Sequence, residues 1–451
     1  MKRFFVFFTV PLMLLLGMVS CSNDGLPDSQ SQPEPAENGY CLLFYASGGD
    51  PEHDLCEMNS IIQAAQATAG RQDIAITALF KASGKSEGEA HNGIRRYTGE
   101  DGKLIQDTDF APDDDFSIID PARLTDFIRW SAQQYPDRKY LLVFAGHGLE
   151  FIPYLDIPTV KTRSTLSDGD DMMSSYHLAQ GIRDAGIPLE AMIAHSCLQG
   201  SIEMLAEWEG LADYLLGSPF SIPDFAYDYA SLLEDLSEGR TVEDALIRTA
   251  HRTMNLWQEF HDNQLDGTVV EVSRLKELTP LWDVLQETIT LMRSTLQEKN
   301  THSTDLPAVW GETYKKGYQR AFKAMYQHNE DNFFDNFRAD YAIDLPDFLR
   351  NACLYSGNVQ LVPYLNRLHE VLEDVLVCHL QSDGLHNHIY NVCAGYLAIP
   401  EELATYRTCR FDQLTGWSKL HEDLLGTAQE QTNTTAAKSR LKSSSETAGN
   451  Q

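Results

Sequence analysis

Several stretches of this chain are too continuously apolar to face water on either side. They are Cys41-Leu42-Leu43-Phe44-Tyr45, Ile74-Ala75-Ile76-Thr77-Ala78-Leu79-Phe80, Tyr140-Leu141-Leu142-Val143-Phe144-Ala145 and Ala191-Met192-Ile193-Ala194. A strand with one wet face alternates in polarity, so an unbroken run predicts a strand covered on both faces, as in parallel sheets. Between the runs lie segments of helical spacing: 55–67, with Leu55, Met58, Ile61, Ile62 and Ala65; 121–134, with Leu124, Phe127, Ile128 and Ser131; and 176–185, closed by Gly186. Residues 93–98 and 103–107 read as a small hairpin, and 214–218 as a further strand. The alternation implies an α/β sandwich of three layers around a mostly parallel sheet.

In such sheets the functional groups gather at the carboxyl ends of the strands. The third run ends in Gly146-His147-Gly148, and the fourth runs on through His195-Ser196-Cys197-Leu198-Gln199-Gly200-Ser201-Ile202-Glu203. The expectation is that this strand turns directly into a helix at Cys197, whose unpaired N–H groups would favour the thiolate. Leu198, Ile202 and Leu205 give that helix a core-facing stripe. A thiol nucleophile needs a base, and the oxyanion it creates needs aimed donors. His147 would be the base, and the backbone N–H groups of Gly148 and Cys197 the oxyanion hole. Spacing alone equally allows Cys197 to be a small core residue.

The flanks are different in kind. Met1-Lys2-Arg3 and an apolar block up to Val19 describe a signal peptide over 1–20. Met18-Val19-Ser20-Cys21 resembles a bacterial lipoprotein processing site, with Cys21 acylated; residues 21–38 would form a flexible tether. The catalytic domain is expected over 39–228. Beyond it, 241–261 and 278–296 read as long helices, 268–273 as a strand, and 229–426 as a smaller helix-rich C-terminal domain or appendage. Residues 427–451 read as a disordered tail.

Charge narrows the partners. Against 35 Lys+Arg stand 66 Asp+Glu, a net charge of -31. Such a field repels nucleic acid and anionic lipid, so membrane contact is expected only through the lipid anchor. The 8 cysteines contain no CxxC pair. Cys41–Cys56, or pairs among Cys353, Cys378, Cys393 and Cys409, are candidate disulfides beside the alternative of free thiols. Asp113-Asp114-Asp115 and Asp168-Gly169-Asp170-Asp171 are acidic enough for Ca2+ without EF-hand spacing, and Cys378, His379, His386 and His388 fit no standard zinc pattern. No cofactor is required.

Longer motifs add a resemblance. Tyr135-Pro136-Asp137-Arg138-Lys139-Tyr140 leading to His147-Gly148 resembles the histidine strand of the clostripain-like cysteine peptidases, and Cys197-Leu198-Gln199-Gly200-Ser201-Ile202-Glu203 resembles their nucleophile motif. Asp213 to Ser218 with Ser221-Ile222-Pro223, Ala342 to Phe348, and Gly416-Trp417 extend the likeness over roughly 40–425. The resemblance implies a caspase-haemoglobinase fold, His147 as general base, Cys197 as nucleophile, and peptide-bond hydrolysis through an acyl-enzyme. It also implies a peptide or protein substrate and activation by a cut in the 153–175 connection, where Lys161 and Arg163 are the candidate positions; a monomer is expected.

The chain departs from that pattern in places. Relatives that prefer Arg or Lys before the cleaved bond carry Asp where this chain has His195, and Ser-Glu where it has Ser218-Pro219. Met usually stands at the position of Gln199. Substrate binding is therefore expected from His195 and Ser218, with Asp224 and Asp228 as substitute counter-charges. The main reading is an exported, lipid-anchored cysteine endopeptidase of the bacterial cell envelope. The rival reading is a catalytically inactive relative that binds peptides or proteins.

Overall fold

Every residue of the strand Tyr40–Ser47 (β1) is buried, as its unbroken apolar run predicts. The computed structural model describes residues 39–84, 93–113, 115–148, 166–168, 171–219, 222–223, 227–260, 268–302, 342–346, 348–350, 358–382, 393–395 and 406–423. Cys21 and the whole of 1–38, Lys161, Arg163, Gly169, Asp170, Asp114, Asp224, His386, His388 and the tail from 427 lie outside the described residues.

β1 is the middle of a parallel block. It pairs in parallel with Ile74–Lys81 (β2) on one side and Lys139–Ala145 (β5) on the other. The hairpin Ile94–Glu100 (β3) and Lys103–Gln106 (β4) extends the β2 edge antiparallel. Beyond β5 come Leu189–His195 (β8) and Ala212–Gly217 (β9), both parallel, then Val269–Arg274 (β10) and Leu376–Gln381 (β12), both antiparallel. The order is β12-β10-β9-β8-β5-β1-β2-β3-β4. All strands up to residue 145 lie to one side of the β5–β8 pair and all strands from residue 189 onward lie to the other. A short ribbon, Leu166–Asp168 (β6) with Asp171–Met173 (β7), and a pair, Ala342–Asp344 (β11) with Cys393–Gly395 (β13), stand apart from this sheet.

Strand alternation sends side chains to two cores. Leu43, Tyr45, Leu142, Phe144, Met192 and Ala194 enter one; Leu42, Phe44, Leu141, Val143, Ala191 and Ile193 enter the other. The second face is covered by Pro51–Gln66 (α1), Tyr229–Ser237 (α5) and Val242–Phe260 (α6). Over the first lie Pro121–Gln134 (α2), Ser175–Ala185 (α3), Ile202–Trp208 (α4) and Thr279–His302 (α7). Helix α2 starts where Asp120 accepts from the Ala122 N–H at 2.9 Å and Pro121 fixes the first turn. Its buried Leu124, Phe127 and Ile128 contribute roughly 1.5–3 kcal/mol each. The expected three-layer α/β sandwich is thus the observed one.

The C-terminal half extends this same sheet and core. β10 and β12 lengthen the sheet, and Leu345, Phe411, Trp417 and Leu420 share the first core. Helix α4 is tied to distant chain: the Tyr406 hydroxyl donates to Glu203, the Arg410 N–H donates to Glu207 Oε1 at 3.0 Å, and the Arg410 side chain pairs with Glu209 at 2.8 Å.

Cys41 and Cys56 are both free thiols, so the candidate disulfide between them is not formed. Cys378 and Cys409 are likewise in no disulfide. Asp168 accepts from Ser117 Oγ at 2.8 Å and the Ile118 N–H at 3.1 Å beside Lys81, and Asp113 pairs with Arg123 at 3.2 Å. His379 lies on β12 with Nδ1 2.8 Å from Glu271 of β10. No helix among the described residues is long and apolar enough to cross a membrane.

His421 is fully buried, with Nδ1 3.1 Å from the Trp417 carbonyl. Burial pushes its imidazole down to about 4, against a smaller upward pull from that carbonyl. An unfolded histidine titrates near ~6.5, so between these values the unfolded chain holds the extra proton. Stability is unaffected above that range and falls as pH drops through it, at about 1.4 kcal/mol per pH unit. Urea midpoints between pH 6.5 and 5 should therefore decline more steeply in the native protein than in His421→Leu. Equal slopes would show that His421 is not shielded.

Candidate active site

Parallel register places the two candidate groups side by side. β5 and β8 are neighbours with Ala145 opposite His195, so His147 and Cys197 each lie two residues past paired strand ends. The Gly146 N–H extends the pairing to the His195 carbonyl at 3.2 Å. A Cβ built on Gly148 would collide with the Cys197 carbonyl and Ser196 Oγ and lie 2.9 Å from the Cys197 nitrogen. Only glycine lets the backbone after His147 approach the cysteine this closely.

Cys197 does not open a helix. β8 ends at His195, a turn follows, and α4 begins at Ile202 behind Ser201 as N-cap, whose Oγ accepts from the Met204 N–H at 3.4 Å. The expectation of a thiol at a helix N-terminus is corrected, because Ser201 is the better cap and Gly200 precedes it. The intervening turn has its own tension: Leu198 adopts φ 60°, a left-handed conformation costing about 1–2 kcal/mol for a side chain of this kind. Gln199 Nε2 donates to the Cys197 carbonyl at 3.0 Å and so braces the turn from below. Over the thiol lies the loop after β9: the Ile222 N–H points at Cys197 Sγ from 3.4 Å, and the Ile222 carbonyl is 3.6 Å away.

The imidazole of His147 is held by a residue the sequence reading left out. Its Nε2 is 2.8 Å from Asp50 Oδ2, and that oxygen is also 2.9 Å from His53 Nδ1. The other oxygen, Asp50 Oδ1, accepts from the Glu52 and His53 N–H groups at 2.9 and 3.0 Å, capping α1. Burial alone would raise the Asp50 carboxyl, but the His53 N–H and then the His147 and His53 side chains outweigh it and hold it well below the usual carboxylate range. Gly49, at φ +86°, passes so close that a Cβ there would sit 2.9 Å from His147 Cδ2. With Nε2 occupied, Nδ1 is the nitrogen left for proton transfer.

His195 shares the strand parity of Ala191 and Ile193 and so points to the face covered by α1 and α5. It is 3% exposed, with Nδ1 3.2 Å from Glu57 Oε2 of α1 and the rings of Tyr227 and Tyr229 at 6.0 and 6.2 Å. Burial, and then the charge of Cys197, push the Tyr227 phenol up, which puts that ring within the field of the thiol. Ser218 is wholly buried beside Gly200. Asp228 caps α5, with Oδ1 accepting from the Ser231 N–H at 3.1 Å.

The comparisons bear on this arrangement. The sequence profile of the clostripain family matches residues 51–356, more than half of the chain. The chain belongs to the clostripain family. It is accordingly a cysteine-type endopeptidase by class. Among solved structures, a secreted C11 cysteine protease from Bacteroides thetaiotaomicron bound to an irreversible peptide inhibitor is similar at TM-score 0.58 and 17% identity, covering 84% of this chain and 99% of that one. A second structure of a secreted C11 protease from the same organism gives TM-score 0.56 at 14% identity, with 85% and 100% covered. An inactive zymogen C11 protease from Parabacteroides distasonis gives 0.54 at 14%, with 85% and 99% covered. These likenesses agree with the clostripain-family fold. No curated protein matches.

Asp50 and His53 were legible in principle, since Asp followed by Pro51 is a helix-start signal; starting the helix at Leu55 hid them. Replacing Asp50 by Ala removes the cap of α1 and should lower stability by about 1–2 kcal/mol, whereas Asp50→Ser should recover most of it. Because the carboxyl is held low, this contribution is present above the unfolded value of about 3.9 and is lost only as pH falls below it. Denaturation midpoints of the three proteins at neutral pH check the ranking.

Proposed function

We propose that this clostripain-family protein is an endopeptidase working through a Cys197–His147 dyad, with Asp50 as the positioning residue for the imidazole. The observation that carries the reading is the β5–β8 register, in which Ala145 lies opposite His195, so that residues 147 and 197 each follow the paired strands by two positions. His147 Nδ1 takes the thiol proton, and the Cys197 thiolate adds to the scissile carbonyl. The backbone N–H groups of Gly148 and Cys197 face the developing oxyanion. Collapse expels the amine, which receives its proton from the imidazolium, leaving an acyl-enzyme. Water, deprotonated by His147, then releases the acid and restores the thiol. The chain itself supplies nucleophile, base and donors, so the cycle requires no cofactor, and a monomer suffices.

Specificity is the less conventional part. At the position where relatives selective for basic residues carry Asp, this chain has a buried histidine matched by Glu57. Both groups are buried 3.2 Å apart under α1, so the position presents no open carboxylate to a basic side chain before the cut.

An iodoacetamide or acyloxymethyl-ketone probe should modify Cys197 in preference to the other thiols. Burial pushes Cys41 up to about 12 and raises Cys409 as well, which makes both poor nucleophiles. His147→Ala should abolish the preference, and Asp50→Ser should slow turnover roughly 10–100-fold and move the acid limb of the pH–rate profile to lower pH, because an imidazolium without its counter-charge gives up its proton more readily and the neutral base persists further down. Labelling of Cys197 no faster than of Cys56 would favour the inactive, binding-only reading.

We further propose export, acylation at Cys21 and self-cleavage at Lys161 or Arg163. The description of a similar structure as an inactive zymogen supports activation by cutting. On a denaturing gel the mature wild type should run as two fragments and Cys197→Ala as one, with a metabolic palmitate label on the N-terminal fragment that Cys21→Ala removes. Identical fragment patterns would rule out self-cleavage.

A further inference from the structure

The Asp50–His53–His147 cluster has a property that catalysis does not use. One ligand atom from each residue lies within 4.8 Å of the others, the one such group of three found among the described residues. Asp50 Oδ2 is 2.8 Å from His147 Nε2 and 2.9 Å from His53 Nδ1, and the two rings lie 3.8 Å apart, tilted by 46°. The cap of α1 fixes Asp50 against His53, and the end of β5 supplies His147. All three side chains are partly open to solvent, at 36%, 19% and 42% exposed.

We propose that these residues form a binding site for a divalent transition-metal ion of the zinc type, and that filling it switches off the peptidase without engaging the thiol. Two imidazoles and one carboxylate suit Zn2+ or Co2+; Ca2+ and Mg2+ select oxygen ligands. Zinc bonds of about 2.0–2.2 Å in tetrahedral geometry need ligand atoms roughly 3.3 Å apart. The observed hydrogen-bonded spacings need only open by a few tenths of an ångström, and exposure leaves the remaining position to water.

The inhibitory effect follows from proton bookkeeping on one ring. In the resting enzyme His147 Nε2 carries the hydrogen shared with Asp50, and Nδ1 has the lone pair that takes the thiol proton in the proposed cycle. A metal on Nε2 needs the lone pair there, so the Nε2 proton leaves to solvent, Nδ1 takes one up from it, and the neutral ring carries its one proton at Nδ1. The nitrogen needed as acceptor becomes a donor. The dipositive ion also opposes protonation of the same ring to imidazolium. His53 adjusts in the same way, binding through Nδ1 with its proton at Nε2.

The inhibition rests on the proposed role of His147, so binding and inhibition are tested separately. Full-length Cys197→Ala, which lacks the thiol, is titrated with Co2+ and followed by its visible d–d absorption, with Zn2+ as competitor. One ion per chain is expected, with affinity reduced at least about 10–100-fold when His53→Ala is added and circular dichroism is unchanged. His53→Gln serves if the alanine variant does not fold. Absence of binding, or equal binding with His53 replaced, overturns the site. In the active enzyme, the Zn2+ concentration for half-inhibition, relative to each protein's own metal-free rate, should rise by at least about 10-fold in His53→Ala; an unchanged value would place inhibition at the thiol. If the wild type proves inactive, the dyad reading fails while the Co2+ titration still decides the site.

Discussion

The parallel register of β5 and β8 is the constraint on which the rest depends. Both strands are continuously apolar because both faces are covered, and burial on both faces leaves little freedom to slip: a shift of one residue would exchange the two cores. With Ala145 opposite His195, the proposed base and nucleophile, His147 and Cys197, each follow the last ladder pair by two residues. The sheet determines the height of both groups, and the local turns determine only their aim. Gly148 for close approach, Leu198 for reversal and Gln199 as a brace all serve that second task.

Legibility from sequence divides along the same line. The strands and most helices were readable because covered parallel strands have a composition of their own, and neighbouring strands bearing His147 and Cys197 followed from their order. The start of α4 was misread, because Leu198 continues an apolar stripe that the Ser201 cap then interrupts. Asp50 was missed for a different reason. Its partners, His53 and His147, are three and ninety-seven positions away in the chain, and no local pattern announces that a capping carboxylate also reaches an imidazole on another element. Glu57 beside His195 is the same kind of pairing, visible only once α1 lies over the ends of β1 and β8.

Asp50 and Glu57 give α1 two unlike roles along one side. At its start a carboxylate, ionised and partly wet, serves the helix with one oxygen and two imidazoles with the other. Two turns on, the buried Glu57 carboxyl lies 3.2 Å from the buried His195 imidazole. The two histidines beside the Cys197 turn are therefore met by one helix in opposite settings, one partly exposed and one buried.

The sheet divides at β5–β8 into an amino-terminal block, β5-β1-β2-β3-β4, and a carboxyl-terminal block, β12-β10-β9-β8. No strand of either block interleaves with the other. The paired histidine and cysteine sit on opposite sides of this one seam, so the site is in effect an interface between two halves of a single chain. Its integrity is an association equilibrium in which the connecting segment sets the effective concentration. Severing that segment would leave the seam to be held by its backbone ladder and by the packing of α2 against α3, and the lifetime of the active arrangement would become the residence time of one half on the other.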